Sequence, residues 1–155
     1  MLTGKQEGPS VIRLHPSSVT EIAQFCTFES LSDVRNFIIP YSPDKHLAEM
    51  ANPKRVYLSI YKQTQLVGFI ILALDGEKSV ECRRVVVAEQ GHGIGQAAML
   101  AMEAYCTQQL DRHRIWLDVF AFNTRGQHIY QKMGYNLFSK TEFDGKPLLL
   151  MEKEL

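Results

Sequence analysis

A chain of 155 residues, 45% apolar and 22% charged, has the size and composition of one globular domain that needs no metal or disulfide to hold its core. Lysine plus arginine number 17, as do aspartate plus glutamate, so the formal charge is zero. That balance excludes bulk electrostatic attraction to nucleic acid or an anionic membrane as the basis of function.

Residues 1–10 are polar, with two glycines and a proline and no apolar h-region. They read as a flexible leader ahead of a single domain over 11–155, not as a secretory signal. Residues 11–14 alternate and read as a first strand, ended by His15-Pro16. Ser17 or Ser18 can cap a helix that carries Val19, Ile22, Ala23, Phe25 and Cys26 at helical spacing. Residues 30–37 suggest a second helical piece closed by Pro40. Ser42-Pro43 opens a third, running to Met50 and stopped by Pro53. From Arg55 to Lys62 the period changes to two, with Val56, Leu58 and Ile60 on one face. Residues 66–74 form a more continuous apolar strand, and the Asp75-Gly76 turn leads into Ser79–Val87.

Residues 89–95 carry three glycines and precede an amphipathic helix with Ile94, Ala97, Ala98, Ala101 and Tyr105 on one side. Arg114–Phe120 is a fifth strand, and residues 124–133 a short helix stopped by Gly134. Two last strands, 135–143 and 148–154, are joined by the hairpin dipeptide Asp144-Gly145. The order predicts one mixed α/β domain whose strand–loop–helix–strand run over 79–120 is a βαβ unit, a usual place for phosphate.

Glycines at 91, 93 and 95 let backbone amides approach a phosphate, and the following helix N-terminus adds roughly half a positive charge. No GK[ST] follows, which excludes a nucleotide-hydrolysing P-loop. Gln96 breaks the GxGxxG dinucleotide pattern.

Gln90-x-x-Gly93-x-Gly95 resembles the (Arg/Gln)-x-x-Gly-x-(Gly/Ala) pyrophosphate loop of the GNAT superfamily of N-acetyltransferases. The segment from Asn123 to Tyr135 resembles that family's second motif, an Asn, a helix with Tyr, then Gly-aromatic. Both stand in the family's order and spacing. Two departures are Gly126, where alanine is usual, and a short link from Val87 to Gln90 without the common proline. Glycine at 126 should weaken the short helix by up to ~1 kcal/mol.

The resemblance implies a central mixed, mostly antiparallel sheet of six to seven strands flanked by helices. It implies acetyl-CoA as acyl donor, its diphosphate on Gln90, Gly91, His92, Gly93, Ile94, Gly95 and Gln96, and its pantetheine arm along a bulged strand at Val85, Val86 and Val87. The amide near Val85 would polarise the acetyl carbonyl. Asn123 would bond the pantetheine or its nearby backbone, and Tyr130 would protonate the departing thiolate; the alternative for Tyr130 is a packing residue. Glu81 occupies the family's frequent glutamate position and is the candidate base, since an alkyl amine with a pKa of about 10 must lose a proton before attacking. The alternative for Glu81 is an ordinary strand carboxylate paired with Arg83 or Arg114. His92 could touch phosphate or be a solvated loop side chain, and Arg125 could reach the ribose 3′-phosphate or be a surface arginine. Asp118 reads as structural in preference to facing the acceptor.

His15, His46, His113 and His128 show no ligand spacing with cysteines or carboxylates, so no metal is expected. Cys26, Cys82 and Cys106 are dispersed and read as reduced thiols of a cytoplasmic protein. The expected partner is a small-molecule or peptide amine, without direct nucleic acid or membrane binding, on a monomer or homodimer. Rival readings are a non-catalytic acyl-CoA sensor of the same fold and an acetyltransferase acting on tRNA or a ribosomal protein.

Overall fold

The computed structural model describes residues 11–155, so the leader expected over 1–10 lies outside the described residues. In chain order the elements are β1 (Ile12–Pro16), a 3₁₀ turn (Val19–Glu21), α1 (Ile22–Ser30), α2 (Ser32–Arg35), α3 (Pro43–Ala51), β2 (Arg55–Lys62), β3 (Gln65–Asp75) and β4 (Ser79–Val87). They continue as α4 (Ile94–Gln108), β5 (Arg114–Phe120), α5 (Thr124–Lys132), β6 (Asn136–Phe143) and β7 (Lys146–Glu154). The strands form one seven-stranded sheet in the order β1-β2-β3-β4-β5-β7-β6. Every neighbouring pair is antiparallel except β4 with β5, which α4 connects in parallel.

Alternation in β2 and β3 serves two cores. Leu58, Ile60, Ile70 and Leu72 face Ala98, Met102 and Cys106 of α4, while Tyr57, Phe69 and Ile71 turn to Phe25 of α1 and Val34 of α2. Because β3 is covered on both faces, its sequence is continuously apolar. Among the described residues no helix is long and apolar enough to cross a membrane.

Several elements differ from the sequence reading, among them β7, which begins at Lys146 instead of 148. The helical piece expected over 30–37 contracts to α2, because Leu31 is extended (ψ 140) and Val34 is the only residue there that is buried. β1 runs two residues further, to Pro16; its place at the sheet edge tolerates a residue without an N–H. The capping serines act as expected. Ser18 forms a capping box with Glu21, and the Ser42 hydroxyl accepts from the Lys45 N–H at 3.1 Å.

A buried polar network ties α1, α3, β2 and β4 together. Arg84 donates to the Glu29 carboxylate and to the Ile39 carbonyl, with its guanidinium 3.7 Å from the Tyr41 ring centroid. His46 Nε2 donates to Glu29 at 2.7 Å, and its Nδ1 accepts from the Tyr57 hydroxyl at 2.8 Å. Glu29 and His46 are fully buried. Removing one partner strands the other charge in a dry site, so Glu29→Ala should cost about 3–5 kcal/mol. The measurement is a lower urea midpoint at unchanged slope; an unshifted midpoint would show the network contributes no stability.

Candidate active site

The site begins where two strands part. β4 pairs with β5 only at Ser79–Arg114, Val80–Ile115 and Glu81–Trp116. On its other side β4 slips register against β3: Leu72 faces Cys82 and Ile71 faces Arg84, leaving Arg83 as the extra residue of a bulge. A bulge bends and twists its strand, and here the β5 pairing has ended just before it. A cleft of about 720 Å³ lies between the separated strands, with Val85 and Val87 on one wall and Asp118 and Phe120 on the other. The β5-facing backbone groups of residues 82–87 thus have no strand partner, and buried amides require one.

One end of the cleft is the glycine loop. Gly91 and Gly93 have φ of +81° and +73°, a region open chiefly to glycine, and Gly93 supplies the left-handed residue before α4. The Ala97 N–H bonds the Gly93 carbonyl at 3.1 Å. Outside helices and strands, no backbone bond among the described residues has the N–H of residues 90–96 as its donor. These amides stand at a helix N-terminus, where an anion is favoured.

The structure brings together Val85, Val87, Gln90, Gly91, Gly93, Ile94, Gly95, Gln96, Asn123, Arg125 and Tyr130 along this cleft. Three other residues singled out by sequence lie off its lining. Val86 points to the opposite core with Phe25 and Phe69. His92 is exposed in the loop. Glu81 accepts from Arg83 Nε at 3.1 Å, the pairing that sequence offered as its alternative.

Tyr130 packs edge-on to Tyr135, ring centroids 6.0 Å apart, and its hydroxyl has no hydrogen-bond partner among the described residues. Burial, with Cys82 and Asp118 nearby, pushes its phenol above the ordinary range, so it stays protonated. The Asn123 side-chain oxygen accepts from the Gly126 N–H at 2.9 Å and caps α5.

Sequence reasoning undervalued Asp118. It is exposed, lines the cleft and makes no hydrogen bond or ion pair among the described residues, so it is not a structural tie. Surrounding protein raises its carboxyl above the ordinary 3.8, Glu81 raises it further, and Arg83 opposes both. Its place on the polar face of an alternating strand, beside inward Leu117 and Val119, was the available signal. Cys26, Glu29 and His46 also bring ligand atoms within 4.8 Å of one another, a cluster that sequence spacing did not suggest. Glu29 is engaged by Arg84 and His46, and burial raises the Cys26 thiol, so this donor set suits internal hydrogen bonding better than a cation.

The model of the Acetyltransferase (GNAT) family matches residues 17–135, most of the chain. The chain belongs to that family. Among curated relatives, an uncharacterized N-acetyltransferase of Mycobacterium tuberculosis is 28% identical over 89 residues, 57% of each chain. The match therefore spans little more than half that relative's length. The spermine/spermidine N(1)-acetyltransferase of Bacillus subtilis is 24% identical over 104 residues, 61% of this chain and 68% of that one. Among solved structures, the spermidine N-acetyltransferase of Vibrio cholerae in complex with CoA and spermine superposes with a TM-score of 0.83 at 17% identity, covering 94% of this chain and 96% of that one. At that identity the likeness is one of fold.

Glycine at 126 in this GNAT chain has a local reason. A Cβ there would meet the Asn123 side chain at 2.7–3.1 Å, displacing the group that caps the helix. Gly126→Ala would gain up to ~1 kcal/mol of helix propensity and lose a cap worth ~1 kcal/mol. We expect no rise in melting temperature. A rise of several degrees would show that the cap tolerates the methyl group.

Proposed function

We propose that this protein transfers an acetyl group from acetyl-CoA to a primary amine, of a small molecule or a protein N-terminus, within a ternary complex. The observation that carries the reading is the continuity of one cleft from the unpaired amides of residues 90–96 to the free hydroxyl of Tyr130 and the free carboxylate of Asp118. Its volume of about 720 Å³ is within the ordinary range for a ligand site. The loop amides and Arg125 suit the phosphates, Val85 to Val87 offer unpaired backbone to a pantetheine arm, and Asn123 Nδ2 supplies a further donor. Bound there, acetyl-CoA supplies an activated thioester.

The chain's own groups then manage two protons. Asp118 takes the proton that the acceptor ammonium must lose, and Glu81, held by Arg83 behind it, raises the proton affinity of Asp118. Glu81 thus acts through its neighbour. The Val85 amide meets the negative charge that develops on the acetyl oxygen. Tyr130 gives its O–H proton to the sulfur as the new C–N bond forms and the C–S bond breaks, and the second proton that the nitrogen sheds on becoming an amide restores the phenol. Burial keeps that proton on the phenol, and the same burial raises the proton affinity of a departing thiolate. By their names, two proteins similar to this chain act on spermine or spermidine, which makes polyamines the first amines to test.

A thiol-release assay with acetyl-CoA and an amine panel tests the activity; tight CoA binding without release from any amine would favour a sensor. Tyr130→Phe should bind acetyl-CoA normally and lose turnover by ~10²-fold or more. Unchanged turnover would remove its role. For kcat/KM, activity should rise with pH through an ionisation above the ordinary aspartate value of 3.8. Asp118→Asn should abolish that limb, and Glu81→Gln should move it to lower pH because a neighbouring negative charge is gone. Loss of the limb in Glu81→Gln, with Asp118→Asn near normal, would make Glu81 itself the base.

A further inference from the structure

The acceptor end of the cleft has a specific composition. Asp118 and Phe120 lie on the same face of β5, two residues or about 6.6 Å apart along the strand. From Phe120 an aromatic ladder continues outward, with the Phe120 and Phe122 rings stacked at 5.0 Å and Phe122 against Phe37 at 5.9 Å. Phe37 and Phe122 are 39% and 50% exposed, a high exposure for stacked apolar rings. A second groove of about 140 Å³ follows this ladder and shares Phe37, Ile38 and Phe120 with the main cleft. That volume is close to the ~150 Å³ of an engineered apolar cavity that holds one benzene ring.

Charge separates the possible occupants. Near the reacting end stand the unpaired Asp118 and, further out, Asp33. Around the second groove the charged side chains are Arg35, Lys146 and Asp144, so a second ammonium group there would meet more positive than negative charge. An extended polyamine therefore lacks a counter-charge for its distal end, whereas an apolar ring finds three aromatic partners.

Resting on the acetyltransferase reading, we infer that the acceptor is a small primary amine with an aryl or similarly bulky apolar group two to three carbons from its nitrogen. Asp118 holds the ammonium and the Phe37–Phe120–Phe122 ladder holds the ring. The groove has room for one ring, which suits a free arylalkylamine better than a peptide.

Thiol release should be compared for 2-phenylethylamine, 3-phenylpropylamine, ethylamine, spermidine and a peptide with N-terminal phenylalanine. The phenylalkylamines should show the highest kcat/KM. Phe122→Ala should raise the ratio of KM for the phenylalkylamines to KM for ethylamine by ~10-fold. Preference for spermidine or the peptide, or an equal effect of Phe122→Ala on every amine, would overturn the acceptor assignment and leave acetyl transfer standing. Absence of release from any amine would overturn both. Should Phe122→Ala fold poorly, Phe122→Leu tests the same point, with a smaller rise in KM expected for the phenylalkylamines alone.

Discussion

Two parallel strands that pair for three residues and then separate create a demand. Their facing amides and carbonyls were made for a ladder and have lost it, inside a domain where unpaired backbone is costly. In this chain the separation falls next to the Arg83 bulge, and everything chemically useful lies beyond it. The backbone of residues 82–87 is left facing a cleft, β5 turns Asp118 and Phe120 into the same space, and α5 sets Tyr130 beside them. A ligand with its own amide groups, running along β4, restores the missing ladder. On the proposed reading, the sheet itself would favour an extended, hydrogen-bonding ligand before any side chain contributes.

A bulge persists only if its surroundings hold the bent strand in place. Consecutive arginines do this from two sides. Arg83 reaches outward to Glu81 at 3.1 Å and to Glu49 of α3 at 3.9 Å. Arg84 turns inward to Glu29, the Ile39 carbonyl and the Tyr41 ring. The second set fastens β4 to α1 and to the segment between α2 and α3, the same segment that brings Phe37 and Ile38 to the cleft. A buried ion pair contributes little net stability against an apolar substitute of equal shape, and its attested value lies in fixing one arrangement. Here that arrangement is the position of the acceptor wall relative to the bulge.

The sequence carried the fold through periodicity and punctuation. β2, β4 and β5 have the boundaries that alternation gave, and Asp144-Gly145 forms the hairpin turn with positive φ at both residues. The glycine loop and the start of α4 were equally legible, because they depend on local backbone geometry alone. What escaped was non-local. Nothing in the spacing of Glu29, His46, Tyr57 and Arg84 shows that four elements meet in one buried network. Pairing of Glu81 with Arg83 was one of two readings the sequence left open, and the bulge that places Arg83 is what no single-strand pattern reveals. Asp118 looked like a structural residue because strand aspartates usually are. Only the loss of β4–β5 pairing leaves it facing open space.

Zero net charge is compatible with the proposed polyanionic donor because the polar groups of the cleft are gathered at its two ends, with apolar walls between. Its phosphate end relies on backbone N–H groups at the start of α4, with Arg125 near and Glu89 at the lip, so little formal charge is used. Its acceptor end carries Asp118, with Glu81 close behind and Asp33 further out. On the proposed reading, an anionic donor would meet one end and a cationic amine the other. Beyond the aromatic ladder the second groove is lined by Arg35 and Lys146 against Asp144. The arrangement gives each reactant its own approach with no large field over the whole protein. A neutral total is what two opposed local fields require.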